Sequence, residues 1–112
     1  MNVAIRGLDT SAPGFEDKDW PHPMSIGENA DDLRMHADHF ERRIGFTYTV
    51  RSTADDDVIG CVYIYPSDNP ETDASVRSWV RSSHAALDGD LWCTVGDWLT
   101  EWPFATVDYA AR

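Results

Sequence analysis

The most constraining feature of this chain is the run Val58-Ile59-Gly60-Cys61-Val62-Tyr63-Ile64-Tyr65, apolar on both of its alternating faces. A strand of that kind belongs in the middle of a sheet, with both faces covered. Phe46-Thr47-Tyr48-Thr49-Val50 alternates β-branched and aromatic residues, and predicts a strand antiparallel to the run across the polar turn 52–57. A third strand is predicted over 75–81, carrying Trp79, after the acidic loop 66–73. Gly60 inside the central run predicts a bulge or a close backbone approach.

Two helices flank these strands. Ser25 followed by Glu28 has the spacing of a capping box. Ile26, Ala30, Leu33, Ala37, Phe40 and Ile44 then recur as one apolar stripe, predicting a helix over 26–43. Arg42 and Arg43 suit its last turn, and Gly45 its left-handed cap. A second helix is predicted over 88–101, capped by Asp88 or Asp90 and ended by Trp102-Pro103. Residues 105–109 predict a short final strand. Residues 1–24, broken by Pro13, Pro21 and Pro23, predict an irregular arm anchored by Phe15 and Trp20. The expected fold is mixed α/β (α+β), with an arm at 1–24 and one domain at 25–112.

Composition narrows the function classes. The chain has 112 residues, 42% hydrophobic, with five tryptophans, which excludes wholesale disorder. Nine Lys+Arg against twenty Asp+Glu leave a net charge of −11. Nucleic acid and anionic membrane need clustered cations, so neither is an expected partner. No apolar run approaches the ~18 residues of a membrane span. Cys61 and Cys93 lie in apolar contexts and read as buried thiols of a cytoplasmic protein.

The element order, with the residues Glu28-Asn29-Ala30-Asp31-Asp32-Leu33, Phe46 to Val50, Val58 to Pro66, Val76-Arg77-Ser78-Trp79-Val80-Arg81, Leu91-Trp92, Trp98-Leu99 and Trp102-Pro103-Phe104, resembles the GNAT (Gcn5-related N-acetyltransferase) superfamily. More narrowly it is similar to a group of actinobacterial GNAT-like proteins. The resemblance covers about residues 25–111. It implies a GNAT-like core: a three-stranded antiparallel meander, then a helix and a final strand parallel to its neighbour. It also implies a trimmed core, without the superfamily's opening strand and helix or its last helix and closing strands. A partner copy or a homodimer would complete such a sheet.

The resemblance further implies acetyl-CoA as cofactor. The backbone of Ser78, Trp79 and Val80 would hold the pantetheine amides, and Arg81, His84 and Ala86 would flank the pyrophosphate at a helix N-terminus. In the loop Arg81-Ser82-Ser83-His84-Ala85-Ala86, Arg81 and Ala86 fit the family pattern while His84 replaces its first glycine. Asp88 and Asp90 add carboxylates nearby.

Other residues carry weaker signals. Tyr63 and Tyr65 share a strand face with Cys61 and Ile59; they read first as a core aromatic pair, with Tyr65 a candidate general acid. His84 reads as a loop histidine or as a base beside a helix N-terminus. Trp79 either walls a cleft or packs on Trp92 or Trp98. His36 and His39 have a metal-compatible spacing but lack a recognised third ligand, so no metal is expected. The acidic run 55–57 lacks the spacing of a calcium loop. Two function classes follow: an acetyl-CoA-dependent N-acyltransferase acting on a small cationic amine or a protein, or a non-catalytic GNAT-like scaffold that self-associates or binds a partner.

Overall fold

A computed structural model describes Ala12, residues 25–54 and residues 56–112. The expected arm 1–24, with Phe15 and Trp20, lies outside the described residues except for Ala12, which is buried. The elements are helix α1 (Ile26–Glu41), strands β1 (Phe46–Arg51), β2 (Val58–Pro66) and β3 (Ala74–Val80), a 3-10 turn over Ser82–Leu87, helix α2 (Asp88–Leu99) and strand β4 (Val107–Asp108). The sheet order is β1-β2-β3-β4, antiparallel through the first three and parallel between β3 and β4. That is the predicted meander with its final parallel strand. Among the described residues no helix is long and apolar enough to cross a membrane.

Directly paired residues share a face, so the register sorts the sheet's two sides. Tyr48, Val62 and Ser78 lie in one row, and Phe46, Ile64 and Val76 in the next. Val62, Ile64 and Val76 meet Val95 and Leu99 of α2 to form the buried core. Trp98 stands edge-on to Tyr48 and to Trp102, with ring centroids 4.9 and 5.3 Å apart. The opposite face carries the rows Thr47, Tyr63, Arg77 and Thr49, Cys61, Trp79, and α1 is hydrogen-bonded to it. Trp79 therefore packs neither on Trp92 nor on Trp98. It lies on the α1 side and donates its indole N–H to Tyr63 Oη at 2.9 Å.

Both features predicted at Gly60 occur. Val50 faces Gly60 but Arg51 faces Val58, so Ile59 is an extra residue in β2. The Trp79 carbonyl lies where a Gly60 side chain would start. At the start of α1, Ser25 Oγ accepts the Glu28 amide at 3.1 Å, and its hydroxyl donates to the Glu28 carboxylate. The C-terminus of α1 differs from expectation. Arg43, at φ 57°, takes the left-handed position, and the amides of Arg43 and Ile44 close back on the Phe40 and His39 carbonyls. Gly45 is buried instead, with its missing side chain making room for the Tyr65 ring. Neither Asp88 nor Asp90 caps α2: the N-cap is Leu87, because the 3-10 turn runs straight into the helix.

The stripe on α1 does not enter the core. No residue of α1 is buried, and Ile26, Leu33 and Phe40 are 65%, 55% and 45% exposed. His36 and His39 face the sheet in its place, about a quarter turn round the helix from the stripe.

Two substitutions test this backbone. Gly60→Ala forces β2 and β3 apart and is expected to cost about 1–3 kcal/mol or more. Arg43→Gly relieves a left-handed residue and is expected to stabilise by about 0.5–1 kcal/mol. Urea unfolding of both variants should move the midpoint in opposite directions.

Candidate functional site

Polar side chains converge in two places: beneath α1, and where β3 and β4 part. Beneath α1, the Tyr65 hydroxyl lies 3.1 Å from His36 Nδ1 and 2.9 Å from His39 Nδ1. Thr47 Oγ1 is also 3.0 Å from His36 Nδ1. On its other side, His36 Nε2 is 3.4 Å from Asp32 Oδ2, with the two side chains 15% and 25% exposed. A phenol has one proton, so it cannot donate to both imidazoles. If His36 Nδ1 accepts from Tyr65, then His39 donates to Tyr65, which links His36, Tyr65 and His39, with Asp32 as an ion-pair neighbour of His36. The His36 ring edge and Thr47 open onto a groove of about 340 Å³ beside β1, whose walls include Leu33 and Phe40.

The residues of this cluster come from three elements for local reasons. The i, i+4 and i, i+3 steps of α1 stack Asp32, His36 and His39 on one side. Alternation along β2 turns Tyr65 to the same side as Tyr63 and Cys61, and buried Gly45 leaves space for its ring.

Where β3 and β4 part, pairing extends only over Ala74 with Val107 and Ser75 with Asp108. Beyond that point the gap holds the Arg112 side chain, which is 7% exposed. Its guanidinium donates to the Ser78 carbonyl at 2.7 Å, to Ser78 Oγ at 3.1 Å, and to the Ala110 carbonyl at 2.7 Å. Arg112 Nε donates to Asp88 Oδ2 at 2.6 Å, in the first turn of α2. Ser78 also shares a hydrogen bond with the Tyr109 hydroxyl.

The residues expected to hold a coenzyme are not gathered around one cleft. Ser78 is buried and engaged by Arg112, while Trp79 points to the opposite side of the sheet. Val80 lines an open groove of about 570 Å³ with Ile59, Leu87 and Leu91. Arg81 is half-buried, and its Nε is enclosed without a partner. The segment expected to be a phosphate loop is a 3-10 turn. The His84 amide there donates to the Arg81 carbonyl, its Nδ1 lies 2.9 Å from Ser83 Oγ, and Ala86 is exposed. The Asp88 carboxylate already occupies the first turn of α2, and its Oδ1 is buried without a partner.

Sequence reasoning found Tyr65 but missed its bond to the helix histidines. The signal was present: the stripe of α1 and the pair His36 and His39 lie on different sides of one helix. Arg112 carried no local pattern at all.

No family model matches this chain, and no curated protein or solved structure matches it significantly.

The two thiols differ from the expectation of two buried cysteines. Cys61 is largely buried, but Cys93 is exposed on α2, because it falls on the side away from Val95 and Leu99. Burial pushes the Cys61 thiol up to about 11, against a smaller downward pull from its hydrogen bond to Tyr63. At pH 8 that leaves roughly one part in a thousand as thiolate. Labelling with a thiol reagent at pH 8 should show one fast site, Cys93, and one slow site, with Cys93→Ser abolishing the fast phase. Burial likewise raises Tyr109 and Tyr48. A raised group stabilises the fold below its ordinary value and loses that contribution as pH climbs to the folded value. Stability should therefore fall between pH 9 and about 11, and less steeply in Cys61→Ala. Thermal melts across that window measure it.

Proposed function

We propose that this chain is a GNAT-like domain that works as a self-associating scaffold rather than as an acyltransferase. The observation that carries this reading is the apolar stripe of α1, where Ile26, Leu33 and Phe40 are exposed on a helix with no buried residue. Exposed contiguous apolar surface of this kind marks interaction sites.

A second copy fits the stripe by its own pattern. In an antiparallel, two-fold pairing of α1 centred at the level of Met35, Ala30 meets Phe40 and Leu33 meets Ala37. Large residues then face small ones, and the helix dipoles oppose. Arg34 comes near the partner copy's Asp38 at the rim. The same two residues pair within α1 to Asp31 at 2.6 Å and Arg42 at 3.3 Å, so those exposed partners would be shared or exchanged.

The acyltransferase reading draws support from one feature, the parting of β3 from the parallel β4. It requires Arg112 to leave that gap and a pyrophosphate to approach the Asp88 and Asp90 carboxylates. The Arg112–Asp88 pair and the hydrogen bonds to Ser78 oppose both. Removing one partner of a buried pair typically costs about 3–5 kcal/mol.

Sedimentation of the wild-type chain at micromolar concentration should show a dimer, and calorimetry with millimolar acetyl-CoA should show no heat of binding. Leu33→Asp and Ala37→Asp should each weaken the dimer by roughly a hundredfold or more. A dimer that survives both and dissolves on Thr49→Pro would move the interface to the edge of β1 and overturn the α1 pairing. Saturable acetyl-CoA binding in wild type, strengthened in Arg112→Ala, would restore the acyltransferase.

A further inference from the structure

We propose that His36, His39, Tyr65 and Thr47 form a binding site for one divalent first-row transition ion of the zinc class. The site lies beneath α1, and its groove shares Leu33, Ala37 and Phe40 with the stripe, so pairing of α1 would cover the entry path. The sequence offered only the two histidines. Folding adds a phenol oxygen 29 and 26 positions away from them and a hydroxyl 11 positions from His36.

Three features of the geometry support an ion. First, the separations between neighbouring donors are 3.1, 2.9 and 3.0 Å. A tetrahedron with metal–ligand bonds of ~2.0–2.1 Å has edges of about 3.3 Å, so small outward shifts would admit a cation. Second, both imidazoles present the same atom, Nδ1, toward the one phenol oxygen. Without a cation, a single phenol proton and a Thr47 hydroxyl must be distributed among these nitrogens and oxygens. Third, His36 Nε2 faces the Asp32 carboxylate at 3.4 Å. A metal-bound histidine almost always gives its other N–H to such an acceptor, which fixes its tautomer and strengthens it as a ligand.

The donor set of two imidazole nitrogens and two oxygens suits zinc, copper or nickel rather than magnesium or calcium. The groove of about 340 Å³ along β1, lined by His36 and Thr47, gives an entry path. Among the described residues no three His, Cys, Asp or Glu side chains group as a metal site, so the site depends on Tyr65 and Thr47 supplying oxygens.

The test is a titration of the intact chain with Zn(II) by calorimetry, and with Co(II) by visible absorption. One ion per chain should bind with a micromolar or tighter dissociation constant. Bound Co(II) should show the intensified absorption of tetrahedral coordination, and Zn(II) should displace it. His36→Gln and His39→Gln should each weaken binding at least tenfold, Asp32→Asn by roughly ten- to a hundredfold. Tyr65→Phe should change the Co(II) spectrum, while His84→Gln leaves binding and spectrum unchanged. Circular dichroism establishes that each variant is folded. Wild-type binding weaker than about 100 µM, or binding that survives the double variant His36→Gln/His39→Gln, would overturn the site.

Discussion

Alternation along β2 divides the molecule, and the remaining structure depends on that division. Val62 and Ile64 turn toward α2 and form the core with Val76, Val95 and Leu99, while Cys61, Tyr63 and Tyr65 turn toward α1. The first face is apolar enough to hold a helix by burial alone. The second is aromatic and hydroxylated, and meets its helix through hydrogen bonds of His36 and His39 to Tyr65 and of His36 to Thr47, while Phe40 makes edge contacts with Phe46 and Tyr48 of the core-facing rows. Such bonds contribute about 1 kcal/mol each net, against several for a well-packed apolar side chain. The two helices are therefore attached with very different strength, although both were equally visible as amphipathic patterns.

The end of the sheet where β3 and β4 part shows how a cleft inherited by topology is filled by chemistry. A parallel pair that holds register for two residues and then separates leaves backbone carbonyls without ladder partners. Arg112 satisfies the one on Ser78 and reaches Asp88 with the same guanidinium. Planar guanidinium groups suit this task because their donors diverge at fixed angles. Once the arginine is in place, Asp88 is both its partner and the first acidic residue of α2, so the positive end of the helix dipole is already answered by carboxylate. An anionic ligand would meet that carboxylate, and a chain carrying a net charge of −11, before it met a free amide.

The elements that were legible in the sequence were those set by local chemistry. The Ser25 cap, the alternation of 46–50 and the two-faced run 58–65 each imply their structure from residues within a few positions, and α1, β1 and β2 follow. The final parallel strand came from the family resemblance, and the structure places it beside β3. What was not legible depended on direction in three dimensions. Periodicity says that α1 has an apolar stripe but not that a polar sheet face will claim its histidine side. The left-handed position at Arg43 was assigned to Gly45 because glycine is the residue that favours it; the Tyr65 ring needed that glycine more. Of the two alternatives for Trp79, a cleft wall or packing on Trp92 or Trp98, register with Cys61 excludes the second by turning it away from α2. Arg112 was silent because its partners lie 24 and 34 positions away.

The outward placement of the α1 stripe bears on how that helix is held. A helix whose apolar stripe points outward and whose polar side points inward gains little from its own fold, so its position rests on groups that can change state or on a surface supplied from outside. The hydrogen bonds of His36 and His39 to Tyr65 are of the first kind, and the exposed stripe leaves room for the second. Anything that binds only the docked helix stabilises docking by mass action. Two binders acting on one helix favour each other where each lowers the ordering cost left to the other. The α2 side is held by apolar packing and by Arg112, beside the open groove along Val80, Leu87 and Leu91.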